Sequence, residues 1–166
     1  MIDSTKFMES FLQKRRFKII LPHIIGKTLL DFGGNKGELK QFVKQDYTVC
    51  NMDWTVMLGH RYDTIVSLAV IEHIPYNEVF NLFDIFNLHL KKGGRLIITT
   101  PCKLAHPILD FMSRIGLTDR ANILEHKHYW NKDELYKLAE HSKLKIISYK
   151  KFQFGLNQLV IFEKEG

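Results

Sequence analysis

Short apolar runs of strand length alternate with stretches of helical spacing along most of this chain, and that order restricts the folds open to it. Thr28 to Phe32, Tyr47 to Met52, Thr64 to Leu68, Arg95 to Thr100, Leu144 to Tyr149 and Leu156 to Phe162 read as strands. Residues 37 to 44 read as a short helix, and Asn77 to Leu90 as a longer one with Val79, Phe83, Phe86 and Leu90 on one stripe. Asn131 and Glu134 make a capping-box start for a helix to about Ser142. Ahead of the first strand, residues 4 to 16 carry Phe7, Met8, Phe11 and Leu12 at helical spacing after caps at Asp3 and Ser4. A second short helix is expected over 17 to 24, with Gly26 near its end. Such alternation predicts an α/β fold: a mainly parallel sheet with helices on both faces. Only a short stretch containing Gly155 separates the last two strands, so they are expected to pair as an antiparallel hairpin at one edge.

Composition narrows the class. At 166 residues the chain suits one compact domain over 1–166. Apolar residues at 45%, including 12 Phe, supply a core that a disordered chain lacks. Lys18, Pro22, Glu72 and His73 interrupt every run that approaches a membrane span. The first ten residues carry an acid early and no apolar segment of the secretory kind. The two cysteines, Cys50 and Cys102, sit in apolar or Pro-flanked surroundings, and no Cys/His spacing resembles a zinc site. Reduced thiols, no metal and a cytoplasmic location are the expectations. The net charge of +6 is spread along the chain apart from Lys14-Arg15-Arg16-Lys18, which reads as a solvated helix face.

In open α/β sheets ligands bind beyond the carboxyl ends of the strands. The first strand here runs into Asp31-Phe32-Gly33-Gly34-Asn35-Lys36-Gly37, where glycine lets the backbone turn tightly and approach a ligand. Twenty residues after Gly33 comes Asp53, at the end of the second strand, where a carboxylate can accept both hydroxyls of a ribose. Together the two features suggest an adenosine-containing cofactor. A dinucleotide would need G-x-G-x-x-G; counted from Gly33, the later glycine positions hold Asn35 and Glu38, and Glu38 would repel a diphosphate. The phosphate-binding G-x-x-x-x-G-K-[ST] is absent.

Leu29 to Gly37 resembles the glycine motif of the class I S-adenosylmethionine-dependent methyltransferases. Val49 to Trp54 is similar to that family's second strand with its ribose-binding acid. Tyr62 to Ile74, ending Ala69-Val70-Ile71-Glu72-His73-Ile74, resembles the fourth-strand motif of the type 11 and 12 members. Leu90 to Pro101 is similar to the fifth strand, and His126-Lys127-His128-Tyr129-Trp130 before a helix also recurs there. The resemblance covers roughly residues 17 to 163 and implies a Rossmann-like three-layer sandwich. Two departures stand out. The family usually has glycine where Asn35 stands, although Asn tolerates positive φ better than most residues. Only nine residues separate Asp53 from Asp63, too few for the family's third strand and the helix before it. A shortened sheet with its second strand at the edge is therefore expected, with Trp54, Met57 or Leu58 taking over the adenine.

The resemblance implies the following roles. Asp31 anchors the turn or the methionine end of the cofactor; Gly33, Gly34, Asn35 and Gly37 form the loop beneath it; Asp53 holds the ribose; Trp54 lies against the adenine. Ser67 and Leu68 present their backbone to the amino group or sulfonium. His73 is the candidate base, since imidazole titrates near neutral pH. Each residue also has a plainer role open to it: strand-end turn for Asp31, turn geometry for the glycines, loop cap for Asp53, core or lid residue for Trp54 and helix-start residue for His73. Glu72 reads equally as a cap or a substrate contact. His126 and His128 read as a lid or a turn, and would suit a metal only with further ligands.

Residues 102 to 130 follow the fifth strand as a substrate cover, in which Ile108, Leu109, Phe111, Met112 and Ile115 could line an apolar substrate or pack on the core. The reading is a methyltransferase acting on a small molecule (sugar, lipid or metabolite) by in-line transfer from S-adenosylmethionine. An RNA or protein methyltransferase, with the basic surface on its substrate, and a catalytically silent cofactor-binding scaffold remain open. Nothing in the sequence speaks to oligomeric state.

Overall fold

The computed structural model describes residues 4–51, 53–103 and 126–166, without the side chains of 4–10 and Trp54. The expected apolar helix around Ile108 to Ile115 lies outside the described residues.

Six strands form one sheet: β1 (Thr28–Phe32), β2 (Asp46–Cys50), β3 (Tyr62–Leu68), β4 (Leu90–Pro101), β5 (Leu144–Phe152) and β6 (Asn157–Lys164), in the order β2-β1-β3-β4-β6-β5. The first four are parallel, and β6 runs antiparallel to both β4 and β5. The C-terminal hairpin is thus as the sequence implies, and β2 is the outer strand on the other side among the described residues. The short 53-to-63 connection leads straight from β2 into β3, as its length requires.

Helices α1 (Ser4–Ile20), α2 (Tyr76–His89) and α3 (Lys132–His141) cover the sheet. On one face α2 supplies Val79, Leu82, Phe83 and Phe86, and α3 supplies Leu135, Leu138 and Ala139, all packed on Leu30, Phe32, Ile65, Leu96, Ile98 and Phe162. On the other face Phe17 and Ile20 of α1 and Leu39 pack on Leu29, Val66, Ile97 and Ile161. The alternation along each strand sends successive residues to opposite layers, so Leu29 and Leu30 belong to different cores. Asn131 caps α3 as its sequence predicts: its Oδ1 accepts from Glu134 N (2.9 Å) and Glu134 Oε2 accepts from Asn131 N (2.8 Å).

Two expectations are corrected. The helix that seemed to break near residue 16 continues as α1 to Ile20 because Phe17 and Ile20 extend its buried face; a 3-10 turn, Leu21–His23, follows where Pro22 interrupts the helical hydrogen bonds. The helix after the glycine turn is a single 3-10 segment, Glu38–Phe42. Val43 is already extended, leaving no room for a longer helix before β2.

Asp63 ties the sheet together at the amino ends. Its Oδ2 accepts from Lys27 N, Thr28 N and Thr28 Oγ1 (2.8–2.9 Å) and pairs with Lys91 Nζ at 2.9 Å. Burial alone would raise its pKa, but these donors outweigh it and hold the carboxyl well below the usual range. Gly26, at φ 71°, lies so close that a Cβ there would come within 2.2 Å of Asp63 Cβ. No helix among the described residues is long and apolar enough to cross a membrane.

Candidate functional site

The carboxyl ends of β1, β2 and β3 bring the predicted residues to one end of the sheet, with Phe32 beside both Cys50 and Ser67. The N–H of Gly33 (φ 81°) donates to Cys50 O at 2.8 Å, and an added Cβ would stand 2.4 Å from Val70 Cγ2. Glycine is therefore needed here for conformation and for the close approach of the segment after β3. At Gly34 a Cβ would meet Asp31 Oδ2 at 2.3 Å, so the turn folds directly over that carboxylate. Asn35 adopts φ 48°, showing that it supports the left-handed turn normally given to glycine; Asn51 Nδ2 secures it through Asn35 O at 2.9 Å. Gly37, at φ 74°, opens the 3-10 segment.

Asp31 is buried at 3% exposure. Burial pushes its carboxyl up to about 6; the hydrogen bond from Tyr47 opposes that shift and the nearby Glu38 carboxylate adds to it. Tyr47 is the partner the sequence did not reveal. The pairing follows from register, since Leu29 stands opposite Tyr47 and Asp31 opposite Val49 on one face of the sheet.

Asp53 follows β2 as an exposed residue. Its Oδ1 accepts from Thr55 N at 3.0 Å and from Thr55 Oγ1, capping the 3-10 turn Trp54–Met57, and those bonds lower its pKa. The Trp54 ring lies outside the described side chains. Met57, considered for the adenine, is instead fully buried in the core, whereas Leu58 is 68% exposed. Ser67 is fully buried, and its Oγ has no hydrogen-bond partner among the described residues.

Beyond β3, Glu72 and His73 occupy a 3-10 turn (Ile71–His73). Glu72 is buried and accepts from Thr100 Oγ1 at 3.1 Å. Its burial pushes the carboxyl up to about 7, against the opposing pull of its own backbone N–H, Arg16 and Thr100. Arg16 thus departs from the solvated face expected for its cluster: it is partly buried and coupled to Glu72, whereas Lys14, Arg15 and Lys18 are exposed. The segment ahead of α3 is strapped to the same turn. Glu72 O accepts from Lys127 N (2.7 Å) and His128 N (3.2 Å), and Ile71 O accepts from Trp130 Nε1 (3.3 Å). The strap sets the His126 and His73 rings edge to face with centroids 4.7 Å apart. His128 goes elsewhere, with Nε2 3.1 Å from Glu134 Oε2.

A family model described as a methyltransferase domain matches residues 5–149. The chain belongs to that methyltransferase family. No curated protein sequence matches it. Solved structures of methyltransferases share its fold. The magnesium protoporphyrin IX methyltransferase of Synechocystis PCC 6803, with bound S-adenosylhomocysteine, superposes with TM-score 0.62 at 15% identity, covering 98% of this chain and 86% of that one. A glycopeptide N-methyltransferase complexed with S-adenosylmethionine gives 0.69 at 11% identity, covering 92% and 87%. An S-adenosylmethionine-dependent methyltransferase of Clostridium acetobutylicum gives 0.61 at 12%, covering 92% of each. The methyltransferase's own glycine turn thus occupies the end of the first strand, in a sheet whose outer strand on that side among the described residues is β2.

Proposed function

We propose that this chain transfers the methyl group of S-adenosylmethionine to a small molecule. The observation that carries the reading is the turn at the end of β1, where Gly33 and Gly34 fold over the buried Asp31 carboxylate. Asp31 and the turn would hold the methionine end, Asp53 the ribose, Trp54 the adenine, and the backbone at Ser67 and Leu68 the amino group or sulfonium. Ser67 Oγ, which has no hydrogen-bond partner among the described residues, supports a polar ligand at the strand ends. Small-molecule substrates are favoured by the solved relatives that act on a porphyrin and on a glycopeptide, and cytoplasmic placement by the two free, buried cysteines.

The cofactor supplies an activated methyl group. When bound it would give that methyl to the acceptor and be left as a neutral thioether, and the acceptor's proton would pass to a nearby base or solvent. The protein's contribution is alignment of acceptor, carbon and sulfur, and His73, just past β3, is the candidate to direct the acceptor's proton. Calorimetric titration with S-adenosylmethionine and S-adenosylhomocysteine, with NAD as control, tests the reading. Micromolar binding of the first two without NAD supports it. Absence of binding would make the fold a scaffold without its cofactor.

A further inference from the structure

Glu72, His73 and His126 each present a ligand atom within 4.8 Å of the other two. Two imidazoles and one carboxylate form a donor set suited to first-row divalent cations such as Zn²⁺, Co²⁺ or Mn²⁺. Around such an ion, at bond lengths of about 2.1 Å, tetrahedral ligand atoms stand about 3.4 Å apart. Side-chain rotations moving each atom by about 1 Å would close the present set.

Three features hold the set together. The main chain fixes the two segments to each other, because Glu72 O accepts from both Lys127 N and His128 N. Thr100 Oγ1 donates to Glu72 Oε2 at 3.1 Å and orients the carboxylate. Tyr129 Oη lies 3.0 Å from His126 Nδ1 and orients that ring. Hydrogen bonds of this kind aim metal ligands and sharpen affinity. The position is equally informative: Val70, two residues before Glu72, is the side chain against which Gly33 of the cofactor turn is packed.

We propose that Glu72, His73 and His126 bind a divalent transition-metal ion beside the cofactor turn, and that the ion holds a substrate through oxygen donors on the substrate. Three protein ligands leave coordination positions open, as in metal sites that engage substrates. The proposal rests on the methyltransferase reading and deepens it: the favoured acceptors carry a hydroxyl next to a second oxygen, as in a vicinal diol, catechol or hydroxy acid. His73 then acts as a ligand in place of the proton-directing role given to it above, and coordination of the acceptor hydroxyl would itself ease loss of its proton.

The test uses the full chain freed of metal by chelator. Co²⁺ is titrated while visible absorption is followed, and Zn²⁺ and Mn²⁺ are titrated by calorimetry. The same titrations are made on His73→Gln, His126→Gln and, as control, His128→Gln, each checked for native circular dichroism. The expected result is one saturable site of micromolar affinity with ligand-field bands of bound Co²⁺, weakened at least tenfold in the first two variants and changed less than twofold in the control. Should a variant misfold, Glu72→Gln, which keeps the side-chain shape, replaces it and should show the same loss. No saturable binding, or equal affinity in all proteins, overturns the site. S-adenosylhomocysteine binding in the same samples separates the two readings: retained cofactor affinity without metal binding defeats only the metal site, whereas metal binding without cofactor affinity defeats the methyltransferase reading on which the substrate class depends.

Discussion

The Tyr47 hydroxyl donates a hydrogen bond to Oδ2 of Asp31 from the neighbouring strand, beneath the turn made by Gly33 and Gly34. It leaves a buried carboxyl with one strong donor, and the pKa of about 6 shows that the donor offsets burial only in part.

Stability should respond to that pKa in a definite direction. The folded value lies above the ordinary one, so the folded protein binds more protons than the unfolded chain between roughly pH 4 and pH 6. This group's contribution is then greatest below pH 4 and is lost as pH rises through 6. Asp31→Asn should flatten that part of the profile, measured by urea unfolding across pH 4–7. An unchanged slope would show that Asp31 titrates normally.

The same carboxylate should govern cofactor affinity. If the ionised form holds the cofactor's ammonium group, S-adenosylhomocysteine should bind progressively more weakly below pH 6, approaching tenfold per pH unit. Asp31→Asn should bind weakly at every pH. Calorimetry at several pH values checks this.

Gly33 permits one backbone shape and one contact. Gly33→Ala adds a Cβ at φ 81°, 2.4 Å from Val70. Left-handed strain and displacement of Val70 should destabilise the protein by about 1–3 kcal/mol and weaken cofactor binding, both readable from thermal unfolding with and without S-adenosylhomocysteine.

Asp53 can be separated into cap and ligand. Asp53→Asn keeps an oxygen for Thr55 N but loses the carboxylate proposed for the ribose. It should therefore keep the melting temperature and lose about tenfold in cofactor affinity. Unchanged affinity would leave Asp53 as a cap alone.

Asp63 should dominate acid sensitivity at the other end of the sheet. Its pKa is depressed, so its contribution is complete above the ordinary Asp range and is lost as pH falls below about 4. Asp63→Asn should lower stability most at neutral pH, by an amount that shrinks steadily as pH falls below about 4, as measured by denaturant midpoints.

Much of this was legible in the chain. Gly33, Gly37 and the left-handed Asn35 marked the turn, Asn131 with Glu134 marked the start of α3, and the distance from Asp53 to Asp63 ruled out another strand between them. Local signals of this kind depend on a few adjacent residues. The pairing of Tyr47 with Asp31, of Thr100 with Glu72, and the meeting of His73 with His126 depend on register and on a strap more than fifty residues away in sequence. Periodicity reports which face a residue occupies but not what crosses to it. Arg16 was misplaced for that reason: its neighbours Lys14, Arg15 and Lys18 are solvated, while its own side chain is partly buried and its charge acts on Glu72.

The sheet's outer strand, β2, carries a consequence for turnover. The cofactor's adenine end would rest against a wall with no further strand behind it among the described residues. Fewer contacts there would lower affinity for the adenosyl group, which S-adenosylmethionine and S-adenosylhomocysteine share. Fresh and spent cofactor should then be weakened alike, so inhibition should follow the ratio of the two rather than the amount of either.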